Sequence, residues 1–407
     1  MILILAVVLL SWGMIVFNGA GWSHPDDAAA AGALNWHRPL LTLTYQLNIL
    51  IGGWMVANLL LHATASLLVF RLARQFTAAR PSLIAACLFA AHPMAGDAAA
   101  SVAGRSSLLC TVFMLACLSS FRLRWTACFA ALAALTKEEA VVLLPLVPIV
   151  KWLRGDENHR PVAYASACVG FFIPLLADRV ITSSVFGAPV DWFTTYFSAA
   201  GQTASLMFIP VGLSADPQWI VGIPHAVVGA IVVGALLSLK NVGAVLVAVP
   251  LLVYSLFPLA DPLLEHRLYL PIAGASIMMG IVLAEYRRWQ YAAAVCLFVL
   301  LANHRARVYS TPVRLWEDAI RPSDGRAGYR PLFNAGSARL FNGEPRLALD
   351  HWQRIKRPWD QRLRVNMAQA HLRLGDVASA SRVLDDEATQ IEDDGQRARR
   401  TRHQVLP

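Results

Sequence analysis

Ionisable side chains interrupt a strongly apolar sequence at a small number of places. The stretch "AAHPMAGDAAASVAGRSSLL" at 90–109 carries His92, Asp97 and Arg105 between apolar runs. A charged group inside a membrane is costly unless it pairs or lines a wet cavity, so such groups indicate functional sites. The other candidates are Asp26 and Asp27 in "SHPDD", His37 and Arg38 in "NWHRPL", Lys137, Glu138 and Glu139 in "LTKEEA", and Asp261, Glu265, His266, Arg267 and Tyr269 in "DPLLEHRLYLP".

These residue types are suited to group-transfer chemistry on a phosphate. A carboxylate can accept the proton of an attacking hydroxyl, and Lys or Arg can stabilise the negative charge of a departing phosphate in a low-dielectric cleft. Two carboxylates from separate loops, such as Asp27 and Asp97, could instead hold a divalent cation (Mg²⁺ or Mn²⁺) against that phosphate. The six cysteines fall in apolar runs without CxxC spacing, so structural zinc and a disulfide framework are not expected.

The elements that must position these groups are membrane helices. Of the 407 residues, 57% are hydrophobic and 15% are charged, and long apolar runs recur up to about Asn303. This pattern predicts an all-α protein: a polytopic transmembrane bundle of roughly 10–12 membrane segments over 1–303, helical repeats over 304–390, and a basic, disordered tail over 391–407. The net charge of +9 sits mainly at the ends of spans, as in cytoplasmic loops of membrane proteins, so a nucleic-acid partner is not expected.

The charge distribution also predicts an orientation. Residues 1–17 have no basic start and no cleavage site, so we expect a first transmembrane helix rather than a signal peptide. The arginines stay cytoplasmic when 200–213 is treated as an oblique or re-entrant segment. The prediction is therefore a multi-pass protein of a bacterial inner membrane, with candidate residues at the outer face and the C-terminal repeats in the periplasm.

The C-terminal region contains an internal repeat. "FNAGSARLFNGEPRLALDHW" at 333–352 aligns with "VNMAQAHLRLGDVASASRVL" at 365–384. Asn334 matches Asn366, and Gly343 with Ala348 matches Gly375 with Ala380, at a constant offset of 32 residues from 334 to 366. Gly in the turn and Ala at a close helix crossing are typical of tetratricopeptide-type helix–turn–helix repeats, whose period is about 34 residues. Such repeats could bind a protein partner, or they could simply cap the membrane domain.

The order of several short motifs resembles a known family. "HRPLLTLTYQLN", "NLLLHATASLLVFRLARQ", "HPMAGDAAASVAGRSSLL", "LAALTKEEAVVLLPL", "FIPVGLSADP" and "EHRLYLPIAG" occur in the order seen in the transmembrane and tetratricopeptide-repeat O-mannosyltransferases and their bacterial relatives. The resemblance covers about residues 36 to 385. It implies a GT-C-type membrane glycosyltransferase, which transfers a sugar from a polyprenyl-phosphate carrier to a protein or glycan acceptor at the outer membrane face.

The resemblance also implies roles for individual residues. Asp26 or Asp27 would be the general base of the first outer loop, and Asp97 would be the second catalytic acid, where the family usually has Glu. Lys137 would lie near the carrier phosphate, and Glu265, Arg267 and Tyr269 match the family's Glu-x-Arg-x-Tyr pattern. Together with these, the predicted phosphate and substrate residues are Arg38, Arg105, Glu138 and His266. The first outer loop is shorter here than in the family, which leaves the role of the Asp26–Asp27 pair open.

Each residue also has a structural alternative. Asp26 and Asp27 could cap the Ala run at 28–31, and Asp97 could cap a helix after the Pro93 break. Lys137 could pair with Glu138 or Glu139, Glu265 could pair with Arg267, and Arg105 could pair with Asp97, while His92 is expected to be a polar cap. At the level of the whole protein, the alternative to an enzyme is a non-catalytic membrane scaffold that docks envelope or secretion partners through the repeats. A transporter fits less well because no inverted repeat is visible.

Overall fold

The computed structural model describes residues 1–17, 38–156, 191–217, 219–256, 263–320, 328–356 and 360–384. These ranges contain helices and no β-strand, which confirms the predicted all-α class. The α-helices in chain order are α1 Ile2–Trp12, α2 Pro39–Ile51, α3 Trp54–Ala73, α4 Ala79–Ala90, α5 Gly96–Ala100, α6 Arg105–Leu118, α7 Leu123–Ala134, α8 Leu143–Leu153, α9 Trp192–Phe208, α10 Ile223–Ser238, α11 Val242–Tyr254, α12 Tyr269–Ala284, α13 Arg288–Val308, α14 Pro312–Ile320, α15 Tyr329–Phe341, α16 Pro345–Gln353, α17 Gln361–Arg373 and α18 377–384.

The chain divides into two compact units, Met1–Thr311 and Pro312–Pro407. The predicted division after residue 303 falls inside α13, which continues to Val308. The physical reason is that the arginines of "NHRARV" do not end the helix: Arg305 is buried inside the first unit. The change from apolar to Arg-rich sequence therefore precedes the structural boundary.

The centre of the first unit is built from α4 and α12, which pack against each other, with α3 beside α4 and α11 beside α12. Glycines bring these helices close together. A Cβ at Gly274 of α12 would lie 2.4 Å from the carbonyl oxygen of Gly243 on α11, and one at Gly280 would lie 2.6 Å from that of Pro81. Small residues at helix crossings are typical of membrane bundles, where close van der Waals packing replaces the hydrophobic effect.

Several helices of this unit have the composition of membrane helices. Within the described ranges, Trp54–Ala73 and Glu265–Ala284 are long and apolar enough to cross a membrane, and the bent pair Ala79–Ala90 and Pro93–Ala100 would be a third. Six further apolar helices are shorter, with 10–17 residues each. These helices support a membrane protein, while the larger number of spans stays a prediction.

The described part of the second unit consists of short helices, and two of its turns, at Gly343 and Gly375, are separated by the predicted 32 residues. Gly343 and Gly375 both have positive φ, at 81° and 78°, which favours glycine at the end of a helix. The amides of Glu344 and Asp376 donate to Arg339 and His371 respectively, both at 2.9 Å. Ala348 and Ala380, one on each following helix, are both buried. The two helix–turn–helix pairs thus share local geometry, and their tetratricopeptide assignment stays a prediction.

Candidate functional site

The break between α4 and α5 follows directly from the sequence "HPM". Pro93 cannot continue α4, and it starts a short 3-10 helix, Pro93–Ala95. The Nδ1 atom of His92 accepts a hydrogen bond from the amide of Met94 at 3.3 Å, so the other ring nitrogen, Nε2, donates to the carbonyl of Met207 at 2.9 Å. This confirms His92 as a polar cap. The break lets α5 begin in a new direction, with Asp97 in its first turn.

Asp97 and His266 form a pair across 169 residues of sequence. The Oδ2 atom of Asp97 lies 2.7 Å from Nδ1 of His266, and it also accepts the backbone amide of His266 at 3.3 Å. Asp97 therefore binds the start of the 3-10 helix Glu265–Leu268. It is not the N-cap of α5 that the capping alternative proposed, since that position is Ala95. Because Nδ1 donates to the carboxylate, the neutral imidazole presents the lone pair of Nε2. The side chain of His266 is 24% exposed.

The loop between α5 and α6 holds the Asp97–His266 pair in place. Asn58 on α3 donates to the carbonyls of Ala99 and Ser101, at 3.3 and 2.8 Å. The hydroxyl of Ser101 donates to the carbonyl of Asp97 at 2.9 Å and accepts the amide of Gly104 at the same distance. Only glycine fits at 104, since a Cβ there would lie 2.2 Å from the carbonyl oxygen of Asp97.

The "TKEEA" stretch forms a second cluster of charges. The chain leaves α7 after Ala134 and forms a 3-10 helix, Glu138–Val142, which confirms the predicted break. The Nζ atom of Lys137 lies 2.6 Å from Oε1 of Glu139 and donates to the hydroxyl of Ser107 at 2.7 Å. Both charged side chains are 4% exposed. The ion-pair alternative for Lys137 is therefore confirmed, with Glu139 as the partner.

Arg38 and Glu138 form a further ion pair beside Lys137. One guanidinium nitrogen of Arg38 lies 2.7 and 2.8 Å from the two carboxylate oxygens of Glu138. These residues lie 100 positions apart, and their charges act on Lys137. The structure thus brings Arg38, Lys137 and Glu138 together, as the predicted substrate residues require.

Glu265 has a different partner from the one expected. Its two carboxylate oxygens accept hydrogen bonds from one nitrogen of Arg305 at 2.9 and 2.8 Å, and the hydroxyl of Tyr309 donates at 3.4 Å. The alternative that paired Glu265 with Arg267 is wrong, because the 3-10 turn directs the two side chains to different neighbours. Arg305 lies in the Arg-rich end of α13, which the sequence assigned to the second domain, so its role was missed.

Among the cations of this described cluster, Arg267 is the one that no described carboxylate neutralises. Within the described part of the chain, its side chain makes no hydrogen bond or ion pair, and its Nε atom is buried. Its charge acts on Lys137 and on His266. Tyr254 at the end of α11 is also under its influence and has a buried hydroxyl that finds no partner among the described residues. Tyr254 was missed because a single Tyr at the end of an apolar run carries no sequence signal.

Two predicted site residues face the protein interior instead. The guanidinium of Arg105 donates to Asn58 at 2.7 Å, to the carbonyl of Trp54 at 2.8 Å, and to Asn48. All of these bonds link α6 to α2 and α3, so the pairing with Asp97 that the sequence suggested is wrong. The hydroxyl of Tyr269 donates to Nδ1 of His62 at 2.5 Å, and Nε2 of that histidine donates to the carbonyl of Ala90. Arg105 and Tyr269 thus tie helices together.

Asp26 and Asp27, predicted to supply the general base, lie outside the described residues, as do His37 and Asp261. In the described ranges, no group of three or more His, Cys, Asp and Glu side chains gathers as metal ligands would. The divalent cation that Asp27 and Asp97 could share therefore stays a prediction. The described cluster offers a histidine–carboxylate pair, a neutralised lysine and an arginine without a counter-ion.

Comparison with known proteins gives partial matches to one group of enzymes. The chain is similar to protein O-mannosyl-transferase Tmtc2 of Drosophila melanogaster, with 36% identity over 163 residues that cover 34% of this chain and 17% of the relative. It is 38% identical to protein O-mannosyl-transferase Tmtc1 of the same fly over 164 residues, which cover 36% of this chain and 19% of the relative. A third relative, protein O-mannosyl-transferase TMTC3 of Mus musculus, is 39% identical over 90 residues, or 21% and 10% of the two chains.

These relatives confirm the predicted resemblance to the transmembrane and tetratricopeptide-repeat O-mannosyltransferases. No family model matches the chain. The matched part spans between 10% and 19% of the length of these relatives. Similarity on this scale is a local likeness, and it gives no activity to the chain by itself.

Proposed function

We propose, from this resemblance and the geometry of the charged cluster, that the chain is a membrane glycosyltransferase of the GT-C type. It transfers a mannose-like sugar from a polyprenyl-phosphate carrier to a hydroxyl of a protein or glycan acceptor. We place the reaction at the periplasmic face of the inner membrane. The observation that carries the proposal is Arg267, a cation beside the Asp97–His266 pair that has no counter-ion among the described residues.

The charge balance of the cluster favours a phosphate ligand. Arg38, Lys137 and Arg305 each have a carboxylate partner within the protein, and Arg267 has none in the described ranges. A partly buried guanidinium without hydrogen bonds is unfavourable, because it has lost water and gained nothing in return. A phosphate oxygen would accept its hydrogen bonds in the bidentate geometry that Arg favours. The free hydroxyl of Tyr254 would add a donor to the same anion.

His266 can accept the proton of the acceptor hydroxyl. As the acceptor oxygen attacks the anomeric carbon, the bond from that carbon to the carrier phosphate breaks, and the phosphate leaves with the electron pair. Nε2 of His266 takes the hydroxyl proton, and Asp97 stabilises the resulting imidazolium through Nδ1. Arg267 stabilises the charge on the departing phosphate. Asp97 then acts through His266 as an orienting group, and Asp26 or Asp27 remains the other candidate for the base.

The test is transfer by the purified full chain in lipid nanodiscs. Polyprenyl-phosphate mannose is supplied as donor with an acceptor peptide rich in serine and threonine. Arg267→Gln is expected to lower kcat/KM for the donor by about 10²-fold or more, the usual effect of removing one donor to a developing anion. Arg124→Gln removes an exposed arginine on α7 and should leave transfer unchanged. Wild-type transfer by Arg267→Gln would refute the assignment of the phosphate site.

The scaffold alternative gives a different pattern. A non-catalytic protein would complement a deletion strain equally well with Asp97→Asn, His266→Asn or no substitution at all. A transferase would lose complementation in both variants, together with the change in envelope glycoproteins that the deletion itself produces. The helical repeats would present or recruit the acceptor, so their removal should weaken peptide acceptors more than it weakens donor binding.

A further inference from the structure

Two cavities meet at Arg80, at the end of α4 that is remote from Asp97. Because α4 runs from Ala79 to Ala90 at about 1.5 Å per residue, its two ends are about 16 Å apart. The positive-inside pattern predicts that the Arg80 end faces the cytoplasm. Neither cavity includes a residue of the charged cluster described above.

The first cavity is an apolar cleft of about 490 Å³ between α1, α4 and α13. Among the described residues, its walls are aliphatic side chains, the ring of Tyr291 and the thiols of Cys87 and Cys296, and the one charged lining residue is Arg80. The guanidinium of Arg80 lies 5.2 Å from the ring centre of Tyr291 and donates a hydrogen bond to the carbonyl of Tyr286. A cleft of this size lies within the roughly 300–1,000 Å³ range of small-molecule sites. Its chemistry matches a hydrocarbon chain.

The second cavity is a polar recess of about 630 Å³ on the other side of Arg80. Two cations, Arg80 and Lys240, and one carboxylate, Glu285, line it, so the described lining carries a net charge of one positive unit. Neither cation has a carboxylate partner among the described residues, and Lys240 lies over the ring of Trp152 at 5.9 Å. The helices α4 and α11 both begin at this recess, and α4 has no side-chain cap. The C-terminal ends of α8 and α12 also line the recess, at Leu153 and Ala284, so the helix ends contribute potential of both signs and the positive charge comes from the side chains.

We infer that the cleft and the recess together bind one anionic glycerophospholipid of the phosphatidylglycerol class. The phosphodiester occupies the recess between Arg80 and Lys240, and one acyl chain lies in the cleft between α1, α4 and α13. The net charge of the recess matches a headgroup with one negative charge, whereas the zwitterionic phosphatidylcholine headgroup leaves it unbalanced. This site is independent of the transfer reaction.

The chain contains a built-in probe for this site. Cys296 is exposed and lines the cleft, while Cys128 on α7 is also exposed and lies outside it. The purified full chain in detergent is treated with a maleimide, and the modification rate at each cysteine is read by peptide mass spectrometry. Phosphatidylglycerol should slow modification of Cys296 and leave Cys128 unchanged. Phosphatidylcholine should protect Cys296 only at higher concentration, and inorganic phosphate should protect neither thiol.

Substitutions separate the headgroup from the acyl chain. Arg80→Gln and Lys240→Gln should each weaken protection by phosphatidylglycerol about fivefold, the effect of one basic residue near an anionic lipid. Arg71→Gln, an exposed arginine on the last turn of α3, is the matched control and should protect like wild type. Ala292→Trp, which fills the cleft from an exposed position, should abolish protection by either lipid.

Several results would overturn the proposal. Equal protection of Cys296 by phosphatidylglycerol and phosphatidylcholine in the wild type would mean that the recess does not discriminate between the two headgroups. An unchanged response of Arg80→Gln and Lys240→Gln would lead to the same conclusion. Protection by polyprenyl phosphate without protection by phosphatidylglycerol would assign the cleft to the donor carrier, and loss of protection only on dilution of the protein would assign it to a second copy of the chain.

Discussion

Replacing Gly104 by alanine tests how the Asp97–His266 pair is positioned. The backbone of Gly104, with φ −63° and ψ −19°, is one that alanine adopts freely, so any effect comes from the added methyl group. That carbon would lie 2.2 Å from the carbonyl oxygen of Asp97 and 2.7 Å from two atoms of Ala98. Ordinary van der Waals contact begins at 3.4 Å, so Asp97 must move by about 1.2 Å.

A displacement of this size is large for the contact that it affects. The Oδ2–Nδ1 distance between Asp97 and His266 is 2.7 Å, and hydrogen bonds from nitrogen to oxygen weaken beyond about 3.2 Å. Misplacing a catalytic group by about 1 Å can reduce the rate about 10²-fold. We therefore expect Gly104→Ala to lower kcat for sugar transfer about 100-fold at saturating donor. Overpacking should also destabilise the first unit by about 1–3 kcal/mol.

The matched control is Gly13→Ala. Gly13 has a similar backbone conformation, with φ −56° and ψ −29°, and nothing lies within 4 Å of its added carbon. Its transfer rate and melting temperature should equal those of the wild type. In the double variant Gly104→Ala with Asp97→Asn, the activity should fall no further than in Asp97→Asn alone, since both changes disrupt the same contact.

The assay measures transfer from polyprenyl-phosphate mannose, with folding followed by thermal unfolding in detergent. A folded Gly104→Ala variant with wild-type kcat would refute the reasoning, as would additive losses in the double variant. Complete absence of transfer in the wild type would instead count against the proposed function, and the geometry would then be tested by complementation of the deletion strain.

Three other predictions concern stability. Glu265→Gln removes the carboxylate that pairs with the buried guanidinium of Arg305 and should destabilise the first unit by about 3–5 kcal/mol. The Glu265→Met, Arg305→Met double variant should recover part of this loss in thermal unfolding, and equal melting of both variants would contradict the prediction. Trp352→Ala removes a fully buried ring whose indole nitrogen donates to the carbonyl of Phe333, and it should destabilise the second unit by about 3–5 kcal/mol in denaturant titration. An unchanged midpoint would show that Trp352 does not contribute to the core. Hydrogen bonds from the hydroxyl and backbone amide of Ser379 hold the pKa of Asp376 below its ordinary value of 3.8. The stabilisation of α18 by Asp376 is therefore complete above pH 3.8 and is lost as the pH falls through the lower folded pKa. Amide exchange at 377–384, corrected for intrinsic rates, should show this loss in the wild type and not in Asp376→Asn, which keeps the cap but does not titrate.

The local features of the structure were predictable because they depend on neighbouring residues. Apolar runs predicted helices, and the absence of strand patterns agrees with the all-α structure. The breaks at "HPM" and "TKEEA" were visible in the sequence, and His92 was expected to be a polar cap rather than a metal ligand. The pairing of Lys137 with Glu139 also depends on a short loop, and it was among the alternatives that the sequence allowed.

Partners that lie far apart in sequence were not predictable. The sequence grouped Asp97 with Arg105 and Glu265 with Arg267 because each pair is close along the chain. The structure joins Asp97 to His266, Glu265 to Arg305, and Arg105 to Asn48 and Asn58.

The sequence by itself thus determined which residues are costly to bury, and only the tertiary structure decided which of them compensate one another. The physical reason is that helix periodicity, capping and turn formation act over a few residues, whereas the partner of a buried charge depends on which helices pack together. That packing leaves Arg267 without a counter-ion in the described ranges. The resemblance had already marked Arg267 as a substrate residue, but the sequence of "EHRLYLP" could not show that Glu265 pairs with Arg305 instead of with it.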